Sequence, residues 1–596
     1  MRKLKFLAGA SALATTAIAS MAAAQVTQIY GGGATLAAPS TRQAGDCYGV
    51  QQTNAGLTPS VGYLVQNKAP TPPPPFLTPS VITVNAFNYT GSPAQNCATT
   101  QINSSVEVSY LSASSGIGIA AVYTHDAAKQ WGPVDGSGDT WPYVTFGMSE
   151  TSLGTTDVNA YNNGGVEQKI TFTASPGAGQ YPIPATLYGP LIQFPLFIDP
   201  VTLAYDATYK RVVSGDGSTH TDYHLNLAST IKRTDGSGGL HLDSPTYCAI
   251  FNGQITNWND PSLQSLNSGA SLKDPADPGA FSVPLQIVGR ADSAGATSVF
   301  TRHLANVCAA VSGNQYANSA STLPTTLQGP AYNKLTAPYP PVAGETLGKY
   351  TLASGADGLA KYVGAFADSS TFGSGEGGSS SNNGQTIVLG RIGYLGADYV
   401  LPAVLNSGGN SYGLNSASLM NAAGKFEPPT AKTALASFGT NLAPQSTSTG
   451  AYCTTTSATC GVGLRSDPSA WVQPADKSAA LANPSATGGY PIVGTANVLA
   501  YQCYATNAVT KGLINIHNTT QTAGFFYWYE TSKTTTDPTL GLLTKDGLSI
   551  LPVGWRNAIE DTFMTNKSKL GLQISTAQGT TSTTAAACKV AGIVGG

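Results

Sequence analysis

The sequence predicts an α/β protein of two lobes, and three observations lead there. At 596 residues the chain is too long for one hydrophobic core. It holds three joints at which a short apolar strand runs through a small, hydroxyl-rich loop into a helix. It also holds two apolar stretches, Pro190 to Asp206 and Tyr490 to Cys503, that read as strands crossing from one lobe to the other and back.

The clearest joint is Ser282 to Val311. Val283 to Val288 is apolar and β-branched, as a buried strand is. Phe300, Leu304, Val307 and Val311 then recur at helical spacing. Between them Gly289 to Thr297 is small and polar. Backbone N–H groups and the positive end of a helix converge at such a joint. Arg290 adds a permanently charged fork that fits an oxyanion. The stretch fits an anion site, and it also fits an ordinary βα turn in which Arg290 pairs with Asp292.

Residues 1–24 read as a cleavable signal peptide. MRKLKF is basic, the following segment is small and apolar, and Ala22-x-Ala24 precedes Gln25. No later run of 18 or more apolar residues predicts a membrane span. The expectation is a chain exported to the periplasm or the cell exterior, with no membrane insertion. Only 10% of residues are charged and the formal net charge is -2. That balance excludes the basic excess that nucleic-acid binding requires. Eight cysteines in an exported chain predict four disulfides. Nearest-neighbour pairing assigns them as Cys47–Cys97, Cys248–Cys308, Cys453–Cys460 and Cys503–Cys588.

In chain order, Val26 to Tyr30 is a strand leading into Gly31-Gly32-Gly33-Ala34-Thr35, where glycines let backbone N–H groups crowd together. Residues 41–104 are irregular and proline-rich. Val106 to Tyr110 is the strand of the third joint and leads into Ser112 to Gly118. Tyr143 to Glu150 is a strand ending in an acid. Pro190 to Asp206 is interrupted by Pro195 and Pro200. Ser244 caps a helix with Pro245 in its first turn, and Ile255 to Pro261 forms a turn-rich cap. Phe372 to Gly378 is a Gly/Ser loop, and Arg391 to Ala397 is strand-like. Residues 405–488 are irregular, and Tyr490 to Cys503 forms the second crossing. Ala523 to Tyr529 is aromatic, and Leu551-Pro552-Val553 leads a last helix. His220 and His224 fall on an alternating strand pattern. That spacing holds the two rings roughly 13 Å apart, too far to share an ion. No metal or other cofactor is implied.

The motifs GGGATLAAP (31–39), SSG (114–116), VTFGMSE (144–150), QFP (193–195), IFNGQITNWNDP (250–261), GRADSAGATSVF (289–300), GSGEG (373–377), RIGYLGADY (391–399) and YPIV (490–493) stand in one order. In that order they resemble the periplasmic phosphate-binding proteins of ABC transporters, the PstS type. The resemblance implies a type II periplasmic-binding-protein-like clamp, each lobe a mixed sheet flanked by helices, closing on phosphate or a related oxyanion. It places lobe I at 25–198 plus 490–596 and lobe II at 199–489, with large loop insertions. By position, Thr35 matches a ligand hydroxyl, Leu36 a backbone donor, Ser114 a second hydroxyl, Arg290 the arginine and Gly295 a backbone donor. Asp292 matches the residue that orients the arginine. Glu150 stands where the family has aspartate, and Ala294 and Ala296 stand where it has serine and threonine. Thr297 or Ser293 is expected to supply the missing hydroxyl.

The resemblance implies a non-catalytic phosphate-binding protein that serves an ABC permease. Two alternatives stay open. One is a secreted structural or adhesion protein on the same fold. The other is a secreted phosphatase, for which the sequence offers no HxH or HExxH pattern and only Asp292 and Ser293 as a nucleophile pair.

Overall fold

In the computed structural model the two long apolar stretches lie side by side at the centre of one sheet. The structure describes residues 26–50, 102–125, 143–165, 183–212, 220–227, 239–308, 350–364, 379–400, 414–445, 464–516, 522–531, 541–576 and Cys588, apart from short gaps inside these ranges. The signal peptide, the proline-rich stretch, the GSGEG loop, Cys97, Cys453 and Cys460 lie outside the described residues.

The main sheet contains β1 (Thr27–Gly33), β2 (Val106–Ser112), β3 (Phe146–Ser149), β4 (Ile192–Tyr205), β5 (Leu285–Arg290), β6 (Tyr350–Ala353), β7 (Gly390–Gly396) and β8 (Val493–Ala500). Their order across the sheet is β2-β1-β3-β8-β4-β7-β5-β6. On one side β1 is parallel to both β2 and β3. On the other β5 is parallel to both β6 and β7. Between these parallel groups β8 and β4 run antiparallel, from Val493↔Pro200 to Ala500↔Ile192. From Val201 to Tyr205, β4 pairs instead with β7. The type II clamp fold is therefore present, as an α/β sheet with helices on the parallel groups.

All positions of β4 are buried, which its near-continuous apolar sequence demands of a central strand. The expected breaks at Pro195 and Pro200 do not occur. The register shifts beside Pro195, and a bulge tolerates the missing N–H. Pro200 sits where β4 exchanges β8 for β7, so its missing donor falls at a change of partner.

Each parallel strand that opens a joint feeds a helix: β1 into α1 (Ala38–Tyr48), β2 into α2 (Ser115–Thr124) and β5 into α3 (Gly295–Val307). Phe300 carries the apolar face of α3. Its ring packs 4.7 Å from Phe251 and 4.8 Å from Tyr394 by centroid. The ITNWNDP motif is structural. Trp258 N–H bonds Val283 O at 2.8 Å and Leu285 N–H bonds Thr256 O at 2.9 Å, stitching the motif to the start of β5. The helix Ser244–Phe251 is capped by Asp243, whose Oδ1 accepts from Thr246 N at 2.9 Å. The expected cap, Ser244, instead places its hydroxyl 2.9 Å from Tyr247 Oη.

Two of the expected disulfides, Cys248–Cys308 and Cys503–Cys588, are formed. Cys47 is also disulfide-bonded, to a partner outside the described residues. Among the described residues no helix is long and apolar enough to cross a membrane. No group of three or more His, Cys, Asp or Glu among them is placed to hold a metal ion.

Cys248–Cys308 ties the helix Ser244–Phe251 to the end of α3 across a sequence separation of 60. Closing such a loop stabilises by about 4 kcal/mol in the chain-entropy model. The double substitution Cys248→Ser/Cys308→Ser is expected to lower the urea midpoint of tryptophan fluorescence, with a loss of unfolding free energy of that order. An unchanged midpoint contradicts the assignment.

Candidate functional site

Parallel strands present their carboxyl ends on one edge, which is where open α/β sheets place ligands. Here two such edges meet, one carrying the loops after β1, β2 and β3 and the other the loop after β5. Gly33, at φ +129, ends β1 against α2, and a Cβ on it would lie 2.7 Å from Gly118 Cα. Glycine alone permits that approach, and it brings the start of α2 to the loop of Thr35 and Leu36.

Glu150, one residue beyond β3, lies at the meeting point and is 2% exposed. Leu36 N donates to its Oε1 at 3.0 Å. The Ser115 hydroxyl donates to its Oε2 in a short bond and accepts Glu150's own N–H at 3.3 Å. The start of α3 closes the third side. A Cβ on Gly295 would lie 2.4 Å from Glu150 Oε2 and 2.5 Å from Ser115 Oγ. The carboxylate thus sits where the N-terminal ends of α1, α2 and α3 come together, a place that favours negative charge. Burial pushes its pKa up, and the Ser115 hydroxyl, the N–H groups of Leu36 and Glu150 and the Arg290 charge pull the other way.

Arg290 ends β5 and is fully buried. Its Nε donates to Asp292 Oδ1 at 2.8 Å and its Nη2 makes a short bond to Oδ2. Asp292 Oδ1 is itself fixed by Gly355 N at 3.0 Å. Arg290 N donates to Tyr394 Oη at 3.2 Å, and that hydroxyl lies 2.8 Å from Thr297 Oγ1. Burial works against the Arg290 charge, and the Asp292 carboxylate more than offsets it, so the group stays cationic. Its Nη1 is buried with no hydrogen-bond partner. A buried charged donor left unpaired is unfavourable, so this atom marks a place for an acceptor.

The two parallel groups touch across the edge. Gly116 N donates to Ser293 O at 3.2 Å, Ser40 N to Asp398 Oδ2 at 3.3 Å and Tyr399 Oη to Thr35 O at 3.3 Å. Gly396 lies so close that a Cβ there would sit 2.1 Å from Leu36 O.

A family model described as the PBP superfamily domain matches residues 106–529, well over half of the chain. The chain belongs to the PBP superfamily. Within this superfamily it is similar, over 70 residues at 44% identity, to the phosphate-binding protein PstS 3 of Mycobacterium leprae. That match covers 12% of this chain and 17% of the relative, so the chain spans under a fifth of the length of the curated relatives it matches first. Over 355 residues it is 25% identical to alkaline phosphatase L of Pseudomonas aeruginosa, covering 56% of this chain and 64% of that one. A high-affinity periplasmic phosphate-binding protein solved with phosphate bound aligns at TM-score 0.48 and 19% identity, over 96% of this chain and 99% of that one. The superfamily match and the 44% identity to a PstS relative bear out the likeness to PstS-type proteins read from the motifs.

The superfamily joints bring Leu36, Glu150, Arg290 and Gly295 into one cluster, with Thr35 buried beside it. Three expected residues do other things. Ser114 caps α2, accepting from Ile117 N at 3.2 Å. Thr297 faces Tyr394. Ser293 is exposed and offers its backbone carbonyl to Gly116. Ser115, Tyr394 and Asp398 were not singled out, although each lies inside or next to a quoted motif. Asp199 was passed over as well. It is fully buried on β4, and neither carboxyl oxygen has a hydrogen-bond partner. A lone acid in an apolar run was the signal for it.

Burial, then the nearby Glu150 charge, push the Asp199 pKa well above the usual carboxylate range. The folded state holds this proton at a pH where the unfolded chain releases it. The group therefore lowers stability as pH rises above the unfolded value, near 3.9. Asp199→Asn is expected to match the native protein in Tm near pH 4 and to exceed it increasingly toward pH 7. Inside that window each pH unit is worth about 1.4 kcal/mol. A difference that does not change with pH contradicts this.

Proposed function

We propose that this chain is an exported solute-binding clamp that takes phosphate, or a related oxyanion, between its two parallel halves. The halves correspond to residues 25–198 with 490–596 and to 199–489, and β4 and β8 form the hinge. The observation that carries the reading is Arg290, a fully buried cation whose Nη1 lacks an acceptor. Its charge acts on the Glu150 carboxylate, which holds the Leu36 N–H and lies against the start of α3. Asp292 holds the guanidinium plane in place, and Thr297 acts on Arg290 through Tyr394. Glu150 is the proton reader. A carboxylate accepts a hydrogen bond from protonated phosphate and repels sulfate, which has no proton to offer. The similarity to a phosphate-binding relative supports phosphate as the solute.

On this reading the protein performs no chemistry, needs no cofactor and delivers its solute to an ABC permease outside the cytoplasm. Phosphoester hydrolysis is a second reading, and it rests on the similarity to alkaline phosphatase L.

Calorimetric titration of the anion-stripped protein with phosphate and with sulfate tests the proposal. Phosphate is expected to bind and sulfate to bind far more weakly. Arg290→Ala is expected to weaken phosphate binding by roughly 30- to 4,000-fold, the range for removing a buried charged partner. Arg290→Lys, which keeps the charge and loses the fork, is expected to fall between. No heat and no thermal shift with phosphate sinks the reading and leaves a scaffold for adhesion. Turnover of p-nitrophenyl phosphate by the native protein moves the assignment to the second reading.

A further inference from the structure

The family position occupied by Glu150 holds an aspartate, one methylene shorter, and here the extra reach has a visible consequence. The carboxylate takes the Leu36 N–H at 3.0 Å and the Ser115 hydroxyl. It lies against Gly295 so closely that a Cβ there would be 2.4 Å from Oε2. Leu36 and Gly295 are two of the backbone donors assigned above to the solute. Its hydrogen bonds all lie in its own half, with Leu36 and Ser115, while from the other half Gly295 packs against it and the Arg290 charge attracts it, so the carboxylate faces the junction of the halves.

We propose that Glu150 is an internal ligand of the clamp: its carboxylate occupies the oxyanion cradle, holds the two halves together, and must be displaced before a solute anion is bound. The inference rests on the phosphate reading for the identity of the competitor, while the closure it assigns to Glu150 does not.

Three features of the site agree with this role. First, the carboxylate is an anion with two oxygens set among N–H and O–H donors at converging helix ends, which is the arrangement a bound oxyanion requires. Second, the hydroxyls at family positions facing the start of α3 are replaced by Ala294 and Ala296, both buried. The cradle on that side offers backbone donors alone, enough for a carboxylate and fewer than a tetrahedral anion uses elsewhere in the family. Third, Arg290 Nη1 keeps no hydrogen-bond partner while Glu150 is in place. An entering anion therefore gains a contact that the internal carboxylate does not make. The gain sets the direction of exchange. A ligand that bonds Nη1 as well as the cradle displaces Glu150, and one that cannot reach Nη1 does not. Glu150 on this account is a specificity filter as well as a latch.

The test compares small-angle X-ray scattering and phosphate titration of the anion-stripped native protein with the same measurements on Glu150→Asp and Glu150→Gln. Circular dichroism confirms that each variant folds. The stripped native protein is expected to keep one radius of gyration with and without phosphate. Stripped Glu150→Asp is expected to be larger and to contract on adding phosphate, which it binds at least about tenfold more tightly than the native protein. Glu150→Gln keeps the length and loses the charge, and is expected to show the same expansion. Three results overturn the inference: a stripped native protein that is expanded and contracts with phosphate, variants as compact as the native protein, or Glu150→Asp binding phosphate no more tightly. If the scattering follows expectation while no protein binds phosphate, the latch stands and the phosphate assignment falls.

Discussion

The structure depends on the antiparallel pairing of β4 with β8. Each parallel group needs its joints to open on a common edge, and nothing local makes the two edges face each other. The β4–β8 pair does so. From Val493↔Pro200 to Ala500↔Ile192 it runs beside β3, and from Val201 onward β4 belongs to β7. A single buried strand thereby serves both halves, and it changes neighbour at Pro200.

What this frame brings together is a concentration of buried charge. Arg290, Glu150 and Asp199 are all removed from water. Burying such groups is unfavourable unless each finds a partner or gives up its charge, and the three meet the demand differently. Arg290 is held by Asp292, Glu150 is held by N–H and O–H donors, and Asp199 retains its proton. The cluster is therefore assembled at the expense of stability, the balance expected where buried charge serves a function.

Much of this was legible in the residues. The three joints and both crossings follow from strand and helix periodicity and small-residue loops, while the grouping of Leu36, Glu150 and Gly295 with Arg290 follows from the family resemblance that the motifs carry. The rest was hidden for physical reasons. Proline was read as a strand breaker, yet β4 continues through Pro195 and Pro200. Whether the missing N–H matters depends on the neighbouring strand, which the local sequence does not contain. Ser114 matches the family hydroxyl by position, yet it caps α2 and the next residue, Ser115, bonds Glu150, a difference of a single residue in helix phase. Thr297 is expected to make up for the hydroxyls missing at Ala294 and Ala296, and its hydrogen bond to Tyr394, 97 residues away, is not visible in the local sequence. Asp199 looked like part of a crossing strand until its nearness to Glu150 was visible.

The most direct test is a crystal structure of the protein grown with arsenate, which has the shape and charge of phosphate and an anomalous signal of its own. The account predicts one anomalous peak at the junction of the halves. It should lie within bonding distance of the Arg290 guanidinium and the Leu36 N–H, with the Glu150 carboxylate displaced from both Leu36 and Ser115. A cleft without a peak at saturating arsenate, with Glu150 still bonded to Leu36, contradicts it.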